Sequence, residues 1–195
     1  EGTEFVENKL QAKLSDIGYH KDMGTHNRVI RISERVYLEV IAIDPKISNF
    51  NNRKWFNLDN SKLQSKLKKS PQIIGYVIEN NDMNISKYYD PFFESSRDIF
   101  EWRFAMPTFN NNILDREIIE AGMIPSLISW KSEKPVYQMK KNQFELICLE
   151  IRLSKSQQHF NSFFKSFGEI EYVSVAMTTE QESSIFKLKL KDNLR

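Results

Sequence analysis

One rhythm constrains this chain more than any other feature: a short helix pattern followed by strand-like runs, met three times. The first helix pattern comes from Val6, Leu10 and Leu14 at four-residue spacing, with Phe5 beside them and Gly18 just beyond, placed to end it. Two apolar runs follow, residues 28–32 and 36–43, split by Ser33-Glu34-Arg35; they read as a hairpin that Asp44-Pro45 terminates. The second group holds a short strand at 73–78 and a helical stretch at 85–93 that Pro91 must start, kink or end. In the next strand, 99–106, Phe100, Trp102, Phe104 and Met106 share one face. A strand at 123–130 is entered through Gly122. The third group is a long strand at 144–153, a helix with Phe160, Phe163, Phe164 and Phe167 on one stripe before Gly168, then strands at 172–177 and 185–190. In the last of these, Lys187, Lys189 and Lys191 alternate with Phe186, Leu188 and Leu190, a pattern that guards an exposed sheet edge. Few helices and clustered strands predict an α+β fold with mixed or antiparallel sheets, not a doubly wound parallel one.

Composition narrows the function. The chain of 195 residues is 40% apolar with 14 Phe, enough to bury a core. With 28 basic against 26 acidic residues it lacks the field of a dedicated DNA or membrane-surface binder. No apolar run approaches the roughly 18–20 residues of a spanning helix, so no membrane partner is expected. The single Cys148 excludes an internal disulfide framework, reads as core within its apolar strand, and makes a reducing cytoplasm the expected location. Arg53, Lys54, Lys62, Lys66, Lys68 and Lys69 surround Trp55 and Phe56, a mixture that a single-stranded nucleic-acid groove would use. Leu63 and Leu67, one turn apart after a Ser61 cap, instead predict an ordinary amphipathic helix with a solvated lysine face and no nucleic-acid role. Phosphate-binding loops, nucleophile elbows and paired-histidine zinc motifs are absent from the sequence.

Two features carry chemistry. Glu39 interrupts the apolar run 36–43, on the face of Tyr37, Ile41 and Ile43. A carboxylate there is costly to bury unless paired, protonated or metal-bound, so it reads as a metal ligand or general base, or else as half of an ion pair with a nearby Arg or a residue on the outward face of an edge strand. The stretch 18–27 carries His20 and His26, about 20 Å apart if extended at roughly 3.3 Å per residue. A turn at Asp22 and Gly24 would bring the two imidazoles across from each other. Two His and one Glu form a familiar metal set; the alternative is a solvated loop whose His and Asn bond backbone.

The run GYHKDMGTHNRVIRISERVYLEVIAIDP, residues 18–45, resembles the glyoxalase-like domain of the vicinal oxygen chelate superfamily. There a Gly-x-His segment leads into Gly-Thr-x-Asn, a Tyr-Leu-Glu strand and Asp-Pro. WRFAMP (102–107) and GMIPSLISW (122–130) are similar to later strands of that family, in the right order. The resemblance implies paired βαβββ modules curling a mixed sheet around one pocket, with the first strand of the first module expected to be missing from the chain. It implies a glyoxalase-like paired-module region over 1–130 and a β-α-β-β segment over 131–195 packed on the same core. It implies a small oxygen-rich metabolite as ligand, a divalent metal as cofactor of the enzymatic members, and lyase, isomerase or dioxygenase-like chemistry; a homodimer would complete such a pocket. On that pattern Glu39 is the expected catalytic residue, and Glu39 with His20 the metal ligands. Substrate-binding positions are His20, Thr25, His26, Asn27, Trp102 and Trp130. Ser126 and Ser129 stand where relatives often carry a carboxylate before the Trp, so the second half offers no evident ligand. A metal-free binding module without catalytic activity is the alternative reading.

Overall fold

The fold is a computed structural model in which residues 1–46, 55–81, 89–108, 113–154, 157, 160–166, 169–178 and 185–193 are described. Helix α1 (Gly2–Leu10) follows the expected spacing but closes at Gln11, whose left-handed φ of 52° ends it. Leu14 lies past the helix and is buried, while Gly18 opens a strand rather than stopping the helix. Strands β1 (Gly18–His20), β2 (Thr25–Arg31) and β3 (Tyr37–Ile43) form one sheet in that order. A turn over Lys21–Met23 joins the first two, and Gly24, at φ 61°, supplies the left-handed residue the return requires.

Helix α2 (Ser61–Leu67) begins where predicted, but its cap is Asn60, whose side chain accepts the N–H groups of Lys62 and Leu63. Its lysines are exposed, and Leu63 and Leu67 are half-buried. Strands β4 (Val77–Glu79), β5 (Phe93–Arg97) and β6 (Phe100–Ala105), helix α3 (Ile113–Glu120) and strand β7 (Ser126–Trp130) follow. The four strands make a mixed sheet in the order β4-β7-β6-β5, with β4 parallel to β7 and the other neighbours antiparallel. The helix expected up to Phe93 is corrected here: Tyr89 bridges Pro107, and Phe93 starts β5. Asp90 precedes Pro91, and a residue before proline is driven out of the helical region. Residues 82–88, which held the rest of that expectation, lie outside the described residues. Asp98, at φ 56°, and Ile99 form the two-residue turn between β5 and β6. After α3, Gly122 at φ 71° turns the chain, and a Cβ there would collide with the Ile74 carbonyl.

These elements belong to one compact unit, Glu1–Ile30 with Tyr37–Met139. Within it, buried Met23, Trp102 and Phe104 anchor a cluster that Ile41, Phe56, Phe93 and Ile128 pack against. Phe104 is 2% exposed, and enclosing such a side chain contributes about 1.5–3 kcal/mol.

The second unit comprises Arg31–Val36, the tip of the β2–β3 hairpin, with Lys140–Arg195. Strand β8 (Phe144–Leu153) lies between β10 (Phe186–Asp192), antiparallel, and β9 (Val173–Met177), parallel and reached through helix α4 (Asn161–Ser166). The β8–β10 register shifts between Lys189 and Leu190, so Leu146 and Leu149 both face inward while Ile147 is 55% exposed. That bulge moves Cys148 out of the expected core: it is half-buried, with Sγ 2.9 Å from the Ser174 hydroxyl. Phe160 and Phe164 are buried. The side chain of Phe163, and Phe167 and Gly168, lie outside the described residues. Lys187, Lys189 and Lys191 are exposed along the edge strand β10.

Candidate functional site

Within the first unit, the β1-β2-β3 sheet and the β4-β7-β6-β5 sheet enclose a cavity of about 60 Å³. That is room for roughly four water-sized centres, the size of a small polar headgroup. Alternation along β2 puts Asn27 and Val29 on its wall, and alternation along β3 adds Tyr37 and Glu39. His20 reaches it from the end of β1, and Trp102, Trp130 and Phe100 close it from the opposite sheet. The two indoles lie 5.6 Å apart with planes tilted by 57°.

A chain of polar contacts crosses the pocket. Asn27 donates from Nδ2 to Glu39 Oε1 at 2.7 Å, and its Oδ1 accepts from an Arg97 terminal nitrogen at 3.1 Å. The same Arg97 nitrogen lies 3.4 Å from His20 Nε2, and His20 Nδ1 lies 3.1 Å from the Thr25 hydroxyl. A guanidinium only donates, so Nε2 accepts and the proton of neutral His20 sits on Nδ1, facing Thr25. Glu39, which lines the cavity, accepts the Asn27 bond through one of its two oxygens.

Burial governs the charges. It pushes the Glu39 carboxyl above its ordinary 4.5, opposed by the Asn27 hydrogen bond and then by the positive charge of Arg97. Burial, then Arg97, pulls the His20 imidazole from 6.5 to about 4, so it is neutral at pH 7. Burial, followed by the neighbouring Glu39 charge, holds the Tyr37 phenol above its usual range, while Arg97 acts the other way.

The sequence-predicted residues separate by strand register. His20 stands opposite Thr25, while His26 stands opposite Tyr19, one residue out of phase. The turn therefore brings the strands together but sends the two imidazoles to opposite faces, and His26 lies against the Tyr19 ring at 6.5 Å. His20, Thr25, Asn27, Glu39, Trp102 and Trp130 gather at or beside the cavity; His26 does not. Arg97, absent from the sequence expectations, supplies the cation. Its place depends on Gly18: a Cβ there would meet the Arg97 guanidinium and come within 2.5 Å of Asn27 Oδ1. The sequence shows only the glycine; its strand position and its close neighbours emerge from the fold.

The sequence profile of the glyoxalase-like domain matches residues 1–164. The chain belongs to the glyoxalase-like domain family. No curated protein and no solved structure matches it. The match runs from α1 into α4, and it makes this protein a small-molecule-binding or small-molecule-converting member of the superfamily. Among the described residues, no helix is long and apolar enough to cross a membrane. The divalent metal common in the superfamily does not suit the donors of this glyoxalase-like pocket. No group of three His, Cys, Asp or Glu converges among the described residues. Between its two potential donors, His20 and Glu39, stand the Arg97 guanidinium and the Asn27 amide, which already bond them. A cation fixed there opposes a second one.

Proposed function

We propose that this pocket binds a small oxygen-rich metabolite through a carbonyl or carboxylate oxygen on Arg97, and that Glu39 moves a proton at the adjoining carbon. One observation carries this reading: Arg97 and Glu39 are held on the two ends of a single amide, that of Asn27, beside a cavity walled by tryptophans. Loss of a proton next to a carbonyl builds negative charge on oxygen, which a preorganised guanidinium in a water-poor site stabilises. A carboxylate whose pKa is raised toward working pH is the better base for that step, and once protonated it returns the proton. His20, neutral and fixed by Thr25, orients Arg97 without adding charge. The reading needs no resident metal and keeps the cytoplasmic setting expected from the sequence.

Hydroxyacetone and pyruvate in D2O provide the test, with protein-dependent loss of their C–H signals followed by proton NMR. Exchange is expected in the native chain, is lost in Glu39→Gln, and weakens together with binding in Arg97→Gln. Saturable binding without exchange would reduce the site to a binding module. Absence of both binding and exchange would overturn the proposal.

A further inference from the structure

A second cavity lies in the same unit, about 560 Å³ in volume. Its size falls in the range of small-molecule sites, whereas the polar pocket alone holds little more than a headgroup. Ile74, Phe92, Phe93, Met106 and Ile124 give it an apolar lining, with exposed Asp90 and Glu120 at its border. One side chain, Phe56, lines both cavities. Phe56 packs edge-on against Phe104 at 6.2 Å, and the Phe93 ring lies 5.8 Å from Phe104. The strand face that carries Trp102 in the polar pocket continues through Phe104 to Met106 in the larger cleft.

Phe56 holds this place on an unusual backbone. It sits at φ 50°, ψ 27°, and Asn57 follows at φ 58°. Asn tolerates the left-handed region, but an aromatic residue such as Phe56 is strained there. Such strain persists where surroundings over-determine it, and buried Leu58 just beyond fixes the segment.

We propose that the two cavities are one bipartite site: the polar pocket takes the head of the ligand, the cleft takes its apolar body, and Phe56 sets the passage between them. This rests on the headgroup reading of the Arg97–Glu39 pocket and adds the ligand class. The ligand is a carbonyl or carboxylate compound with an uncharged apolar chain or ring. A second anionic group on that body is disfavoured, because Asp90 and Glu120 line the cleft.

The chain carries a methionine in each compartment, Met139 in the polar pocket and Met106 in the cleft. With the native protein labelled at its methionine methyls, pyruvate is expected to shift the Met139 signal alone, and 2-oxooctanoate to shift both. Affinity across the series from pyruvate through 2-oxohexanoate to 2-oxooctanoate is expected to rise with length, by up to about 4-fold per buried methylene. Phe56→Ala and Phe56→Leu are expected to change the ratio of 2-oxooctanoate to pyruvate affinity at least threefold, and Arg97→Gln to weaken every member. Equal affinity along the series, or a Met106 signal unmoved by 2-oxooctanoate, would overturn the bipartite site while leaving the headgroup pocket standing. Cleft binding untouched by Arg97→Gln would show an independent site and overturn it too. Failure of every member, pyruvate included, would remove the headgroup reading itself.

Discussion

The two sheets that wall the polar pocket contribute opposite chemistry. β1-β2-β3 presents His20, Asn27, Tyr37 and Glu39, whereas β4-β7-β6-β5 presents Phe100, Trp102, Phe104, Ile128 and Trp130. Only from its edge strand β5 does the second sheet add a charge, Arg97. Neither wall makes a site alone. Polar groups on an open sheet would stay hydrated and titrate near their ordinary values; against an aromatic wall they are desolvated, which is the largest cause of every shift in the pocket.

Removing the aromatic wall is the harshest way to break this division. Phe104→Ala is expected to cost about 3–5 kcal/mol in urea denaturation, since Phe104 is almost fully enclosed and packs against both Phe56 and Phe93. An unchanged midpoint would mean that the wall is not packed as described.

The polar wall is tested next by acid. His20 has a folded pKa of about 4 against 6.5, so between these values the unfolded chain binds the extra proton. Stability is therefore full above pH 6.5 and falls as pH drops toward 4, by roughly 2–3 kcal/mol. His20→Gln is expected to flatten that limb of the curve. An identical slope in the variant would assign the acid sensitivity elsewhere.

How far these walls were legible in the sequence depended on what each strand had to bury. In the walls β6 stood out, as β8 did in the second unit, because alternating or continuous apolar residues leave a period in the chain, and Glu39 stood out because it broke such a period. β5 left no such mark. Phe-Glu-Ser-Ser-Arg holds one apolar residue, since an edge strand buries little, and with the strand went Arg97. The pairing of Asn27 with Glu39, 12 residues apart, and of Arg97 with Asn27, 70 apart, depends on register and sheet packing that local patterns do not encode. Cys148 misled for a related reason: a single bulge reverses the faces of everything beyond it.

Gly18→Ala sharpens the comparison at the seam between the sheets. Backbone φ permits the methyl group, so any effect comes from displacing Arg97 and Asn27, expected at about 1–3 kcal/mol with weakened pyruvate binding. Stability and binding both equal to the native protein would place Arg97 elsewhere in solution. Glu39→Gln is expected to retain the fold and to change stability at pH 7 by no more than about 1 kcal/mol, in the stabilising direction, because a raised carboxyl pKa means that ionisation costs folding energy. Outside both walls, neutralising the exposed Lys66, Lys68 and Lys69 together is expected to change stability by no more than about 0.5 kcal/mol apiece. Salt-sensitive binding of single-stranded RNA that disappears in this triple variant would give the lysine face a role denied to it here.

The division of labour between the walls converges on one carboxyl group. Its titration can be followed by carbon NMR with the glutamate side chains labelled and Glu39→Gln used to assign the signal. The expected Glu39 midpoint lies above 4.5, because burial outweighs the lowering effects of Asn27 and Arg97. In Arg97→Gln the midpoint is expected to move higher still, since a stabilising positive charge is gone. A midpoint at or below 4.5 that ignores the loss of Arg97 would contradict both the desolvating wall and the Arg97–Asn27–Glu39 arrangement on which the proposed chemistry rests.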